Sequence, residues 1–240
     1  MKVDEKLLKR SIDAALELAI IRKEGHEPKK RNFDETIDFI MNLKDLDLND
    51  PKQRIDKELI LPHEIRSDPS ICVIGSGEVY LEAKDLDVKV LDEDELEALS
   101  HEEKRDKKKF VKNYEFFIVE DKQMRNVARY LARFLGPAGK MPKPFPDGYG
   151  IISTPEDLKT AVDRYKRIIK IRVRQQPIVQ TIIGKKSMDE EKLFENMETI
   201  VDYVVSQMPH RYNNIQSMYV KSTMGKPVKI DDEFLDDLGV

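Results

Sequence analysis

The chain has 240 residues, long enough for one large domain or two modest ones. Hydrophobic residues make up 40% and charged residues 37%, with no Trp, so a core is available but modest and the surface is heavily solvated or faces a charged partner. No apolar run reaches the roughly 18 residues of a membrane span, and the lone Cys72 excludes an intramolecular disulfide, which fits a reducing compartment.

From the start, "EKLLKRSIDAALELAIIRKE" (5–24) reads as an amphipathic helix: Leu7, Leu8, Ile12, Ala15, Leu16 and Ala19 recur at spacings of three and four. Its flanking acids and bases argue against a signal peptide. A basic connector, "GHEPKKRNF" (25–33), follows, then strands at "ETIDFIMNL" (35–43) and "KELILPH" (57–63) with a turn-rich loop between them. Near residue 67 the pattern changes. "SICVIG" (70–75) is a continuous apolar run, the mark of a strand covered on both faces. Helices at 78–86 and 93–112 alternate with strands at 88–92 and 115–120, and a helix at 121–136 has Asp121 as its N-cap and Gly136 as its stop. Such alternation predicts a small parallel sheet. The segment ends in "GPAGKMPKPFPDGYG" (136–150), read as a loop or hinge.

A capped helix starts at Thr154, with Pro155 in the first helical position and Asp157 completing a capping box. Next come a strand at "KIRVR" (170–174), a strand at 177–184, a helix over about 189–207, and strands at 217–223 and 226–231. The acidic end, residues 231–240, reads as a frayed, solvated tail. Residues 1–66 and 155–230 are each incomplete alone but together would form an α/β sandwich, with 67–154 inserted by two chain crossings near "LPHEIRSDP" and "PFPDGYG". Periodicity also admits three sequential domains, though each end would then be thin.

The net charge of −4 hides an asymmetry. Residues 155–230 hold 14 Lys and Arg against 9 Asp and Glu, while the last ten residues hold five acids and no base. Phosphate binding depends on the cations that touch the backbone, so a nucleic-acid partner stays open. In "KIRVR", Lys170, Arg172 and Arg174 share one face of a strand; they either block an exposed edge or form a platform for phosphates. "KKRNF" (29–33) sets three cations before an aromatic. "KSTMGKP" (221–227) sets Ser222, Thr223 and Met224 before Gly225 in a tight turn, where hydroxyls can bind ribose and Met can pack on a sugar or base.

Other motifs are weaker. "VIGSGEVY" (73–80) places Gly75-Ser-Gly77 between a strand and a helix, but Tyr80 stands where a dinucleotide fingerprint needs its third glycine. It reads as a tight turn, with a nucleotide-binding enzyme as the alternative. "GPAGK" (136–140) fails as a phosphate loop because Phe134 and Met141 occupy required positions; a structural loop or an amide nest beside Lys140 and Lys143 remains. The four His, at 26, 63, 101 and 210, are too scattered for a local metal motif, so neither metal nor cofactor is expected.

At "KKRNFDETIDFIMNL", "FLGPAGKMPKP" and "VKSTMGK" together, the sequence resembles the family of the universal large-subunit ribosomal protein L-one in its archaeal form, from about residue 5 to 230. The resemblance implies an α/β protein of two domains: a discontinuous α/β sandwich from 1–66 and 155–230, an inserted Rossmann-like three-layer domain at 67–154, a hinge between them, and an acidic extension at 231–240. It implies a cytoplasmic, non-enzymatic constituent of the large ribosomal subunit, a monomer when free, that binds the rRNA of the mobile exit-site stalk. It further implies help with release of exit-site tRNA and repression of the chain's own mRNA. The RNA site it implies gathers Lys30, Arg31, Phe33 and Glu35, then Arg172, Arg174, Gln180 and Lys185, and finally Ser222, Thr223, Met224 and Gly225. A secondary RNA site would use Gly136, Pro137, Gly139 and Lys140.

Overall fold

The structure, a computed structural model, describes residues 5–19 and 31–238. The chain divides into two compact units: residues up to Arg66 together with those from Arg167 onward, and Ser67–Lys166 between them.

The discontinuous unit is built on β1 (Thr36–Leu43), whose sequence alternates. Ile37, Phe39, Met41 and Leu43 point into the core, and the residues between them face outward. β1 lies between β8 (Ile178–Lys185) and β9 (Ile215–Ser222), with β10 (Val228–Lys229) at the edge, in an antiparallel sheet of order β10-β9-β1-β8. Helices α1 (Glu5–Glu17) and α8 (Glu190–Gln207) bury their apolar stripes in the same core, through Leu8, Ile12 and Ala15 on one and Leu193, Met197, Ile200 and Val204 on the other. A separate two-stranded ladder joins β2 (Ile55–Ile60) to β7 (Ile168–Val173), with Asp56 opposite Arg172 and Glu58 opposite Lys170.

The inserted unit is a parallel sheet of order β4-β3-β5-β6, formed by β3 (Ile71–Ile74), β4 (Lys89–Leu91), β5 (Phe116–Glu120) and β6 (Ile151–Ile152). Every residue of β3 and β5 is buried, as strands covered on both faces require. Its helices are α2 (Gly77–Asp85), α3 (Glu93–His101), α4 (Lys104–Asn113), α5 (Met124–Tyr130), α6 (Ala132–Ala138) and α7 (Pro155–Tyr165). Phe116 meets Tyr165 of α7 with ring centroids 4.6 Å apart, while Phe117 joins Leu96, Val111, Leu131 and Leu135 of the helices between α3 and α6.

Four sequence expectations are corrected. The boundary at 155 moves to 166, because α7 buries Leu158, Ala161 and Tyr165 within the inserted unit and its Lys159 pairs with Glu82 of α2 at 2.8 Å. The crossing placed near 144–150 therefore lies at Lys166–Arg167. The helix at 93–112 is two helices, broken where Glu102 and Glu103 turn extended. The helix at 121–136 opens as a 3-10 turn at Asp121–Gln123, breaks at Leu131, and continues past Gly136 to Ala138. The acidic end folds as α9 (Asp232–Leu238): Leu235 enters the core of the discontinuous unit, and Arg10 of α1 donates to Asp236 at 2.7 Å and Asp232 at 3.4 Å. Acid content hid the apolar Phe234–Leu235 pair that anchors it.

Candidate nucleic-acid interface

The antiparallel register that pairs Ile37 with Ser222 puts the start of β1 beside the end of β9. There Thr223 N–H donates to Thr36 O at 2.9 Å, and the Thr223 hydroxyl lies 3.0 Å from Thr36 O and 2.5 Å from the Thr36 hydroxyl. The chain turns back at once, with Gly225 N–H on Ser222 O at 2.8 Å. A Cβ on Gly225 would press on the buried Ser222 hydroxyl, so a larger residue there would have to displace that side chain.

Beneath the turn lies an ion pair. Arg31 donates to both oxygens of Glu35, at 2.9 and 3.0 Å, to Met224 O at 2.9 Å and to Ala19 O at 3.2 Å, while Met224 N–H donates to Glu35 at 3.3 Å. Glu35 is buried. Burial pushes its carboxyl up, but the hydrogen bonds from Arg31 and Met224 and the Arg31 charge outweigh that and hold it below the ordinary carboxylate value. The Ser222 hydroxyl adds to this from nearby, without a hydrogen bond of normal geometry. Above this support, Phe33 and Met224 are 56% and 65% exposed, an unusual disposition for large apolar side chains.

The expected RNA residues therefore fall into different places. Thr223, Met224 and Gly225 form one outward turn, Phe33 is exposed in the chain between Arg31 and Glu35, which both bond to Met224, and Lys185 pairs opposite Thr36. Ser222 and Glu35 are buried, so the expected direct RNA contact is corrected to support from below. Arg31 is likewise engaged with protein. Lys30 lies outside the described residues. Thr36 and Lys186 were missed. Lys186 N–H donates to Glu35 O at 2.8 Å, and the one sequence signal was a hydroxyl at the head of a strand.

Arg172, Arg174 and Gln180 line a different feature, a groove of about 560 Å³ shared with Lys170, Gln175, Gln176 and Ile178. Its cations face acids of β2. Arg174 pairs closely with Asp56, which also lies 3.6 Å from Arg172, and Lys170 lies 3.8 Å from Glu58. The row of cations is thus partly neutralised by a cross-strand row of acids, a pairing that strand register decides and periodicity does not.

A model of the Ribosomal protein L1p/L10e family matches residues 23–226. The chain belongs to this family. It is 37% identical to large ribosomal subunit protein uL1 of Methanopyrus kandleri over 210 residues, 88% of this chain and 94% of that one. With uL1 of Methanocaldococcus jannaschii it shares 34% over 231 residues, 96% of this chain and 98% of the other. Thermococcus kodakarensis uL1 is 37% identical over 203 residues, 85% and 91% of the two chains.

In this L1-family chain the amide nest read at Gly136–Lys140 is corrected. Gly136 and Pro137 lie inside α6, and Gly139 caps it in the left-handed region at φ 67°. The amides of Gly139 and Lys140 are used by Gly136 O and Leu135 O, at 3.0 Å each, so no amide nest is left. Lys140 Nζ turns inward to Val111 O at 2.9 Å and Tyr114 O at 2.6 Å, and burial lowers its pKa. The Gly75-Ser-Gly77 turn is occupied too. In this sheet β3 lies between β4 and β5, and ligands of such folds sit in the crevice at the strand C-termini. The buried Glu120 fills that place, accepting from Ser76 N–H at 2.8 Å and Ser76 Oγ at 2.9 Å. A carboxylate where a phosphate would sit removes the support for the nucleotide-binding alternative.

Proposed function

We propose that this chain is a structural constituent of the large ribosomal subunit that binds the rRNA of the mobile exit-site stalk through the Phe33 and Thr223–Met224–Gly225 corner. Its relatives are large ribosomal subunit proteins, which supports the ribosomal place and a structural rather than enzymatic role. The observation that carries the RNA reading is that corner: two exposed apolar side chains and a hydroxyl on a glycine turn, held by a buried ion pair. Such a surface fits sugar and base faces of a shaped RNA, where contacts run through ribose and backbone. Lys185 beside it and the separate Arg172–Arg174 groove supply phosphate attraction. In the same reading the protein acts in the cytoplasm, is monomeric when free, and aids release of deacylated tRNA. It represses translation by binding a similar fold in its own mRNA.

Filter binding of a stalk rRNA fragment against unrelated duplex, at two salt concentrations, tests this. Thr223→Ala or Met224→Ala should each weaken binding to the fragment by roughly 1–3 kcal/mol and leave duplex binding unchanged. Wild-type affinity in both variants would remove the corner from the RNA site.

A further inference from the structure

On the inserted unit, the segment between α6 and β6 holds an aromatic side chain out into water. Phe145 is 76% exposed. Its loop is nonetheless closed. Pro144 O accepts from the amides of Asp147 and Gly148, at 3.1 Å each, and Lys143 O accepts from Gly150 at 3.2 Å. The loop is seated on the sheet as well: Val119 N–H of β5 donates to Gly150 O at 2.8 Å. A Cβ on Gly150 would lie 3.0 Å from Pro142 Cα and 3.1 Å from Phe117 O, so backbone packs on backbone there. Main-chain hydrogen bonds thus hold the loop that carries this exposed ring.

The ring is backed. Tyr149 stands behind Phe145, with ring centroids 6.1 Å apart and planes tilted by 55°. Behind Tyr149, Arg164 of α7 places its guanidinium carbon 5.4 Å from the ring centroid. The series runs aromatic, aromatic, guanidinium, and its outer member is open. Every nucleobase has a π-face, so ring-and-cation surfaces of this kind take unstacked bases without regard to sequence. Lys143 adds one positive charge to the loop and Asp147 one negative, so stacking rather than net charge would provide the attraction.

We propose that Phe145, backed by Tyr149 and Arg164, is a stacking platform that takes an unpaired base of RNA, separate from the Thr223–Met224–Gly225 corner. The platform rests on the reading of the chain as an RNA-binding protein. It is also distinct from the Gly136–Lys140 segment, whose amides and ammonium are engaged internally.

The absence of Trp makes the test direct. Phe145→Trp in the full chain places the sole indole at the loop tip. Titration with a short single-stranded oligoadenylate should quench its fluorescence saturably. In binding assays with the labelled oligoadenylate, Phe145→Leu should lower affinity roughly 5- to 150-fold, and Phe145→Tyr should keep it. Melting temperature should stay the same in all three variants, because the side chain buries little. An indole left unquenched, or Leu binding as well as Phe, would overturn the platform; the second result is what an apolar protein-docking residue would give. Repeating the titration with Thr223→Ala separates the two RNA readings. Quenching that survives there supports an independent platform, and quenching lost there overturns it. If Thr223→Ala and Met224→Ala both bind the stalk fragment normally, the corner fails while the indole signal still decides the platform. Competition by stalk rRNA fragment or by deacylated tRNA then tells which RNA supplies the base.

Discussion

Arg31 links three segments at once: the carbonyl after α1, the Glu35 carboxylate and the carbonyl of Met224. A guanidinium suits this because its donors are fixed in a planar fork, which a lysine ammonium cannot reproduce. Sequence alone gives Arg31 a phosphate, since it sits in a run of cations, and only the fold shows that a buried carboxylate claims it. The two roles differ in salt dependence. Arg31→Lys should weaken stalk rRNA binding without changing the slope of log affinity against log salt, whereas loss of a phosphate contact would reduce that slope by about one. Glu35→Gln should cost about 3 kcal/mol of stability by thermal or denaturant unfolding, because it leaves a largely buried cation without its counter-ion. The pH dependence follows from the lowered carboxyl. A folded pKa below the ordinary 4.5 stabilises the protein above that value, and the gain is lost as pH falls through the folded pKa. Glu35→Gln should therefore flatten the acid limb of the stability profile. Asp56 offers a converse case. Asp56→Asn frees Arg172 and Arg174 and should strengthen rRNA binding severalfold at low salt, with the gain fading as salt screens it. Unchanged affinity at low salt would take the groove out of the RNA site.

At the scale of elements, α9 changes the reading of the C-terminus. Five acids in ten residues look like a solvated tail, yet Leu235 is fully buried and Arg10 bridges to Asp232 and Asp236. The buried leucine matters more than the ion pairs, which are exposed on the acid side and of modest worth. Leu235→Ala should destabilise the discontinuous unit by about 2–3 kcal/mol in denaturant unfolding, and Asp236→Asn by less than about 1 kcal/mol. Equal effects would mean that charge rather than burial docks the helix. α7 makes a similar point. Its capping box at Thr154 and Asp157 is legible in the sequence and present in the structure, with Asp157 N–H 3.3 Å from Thr154 Oγ1. Which sheet the helix packs on is not legible, because that depends on Tyr165 finding Phe116.

For the whole molecule, the division into a discontinuous and an inserted unit has a local cause. Leu61 N–H donates to Arg167 O at 3.0 Å and Arg66 Nη1 to Ile168 O at 2.8 Å, so the two crossing points are tied within the discontinuous unit. Replacing Ser67–Lys166 by a short Gly-Ser linker should therefore leave a folded unit that still prefers stalk rRNA to unrelated duplex. Loss of that preference in a folded variant would show that the corner is not sufficient for recognition.

Sequence by itself determined the alternation of β1, the wholly apolar β3, the apolar run that opens β5, the capped start of α7, and the Thr223-Met224-Gly225 motif. Each is a local pattern whose period or turn chemistry admits one reading. The tertiary structure decided what each polar group meets. It gave Arg31 to Glu35, Arg174 to Asp56, Lys140 to two carbonyls and Ser76 to Glu120. Those partners lie from 4 to 118 residues away in the chain, and no periodicity reports which distant charge a folded chain will bring within hydrogen-bond reach.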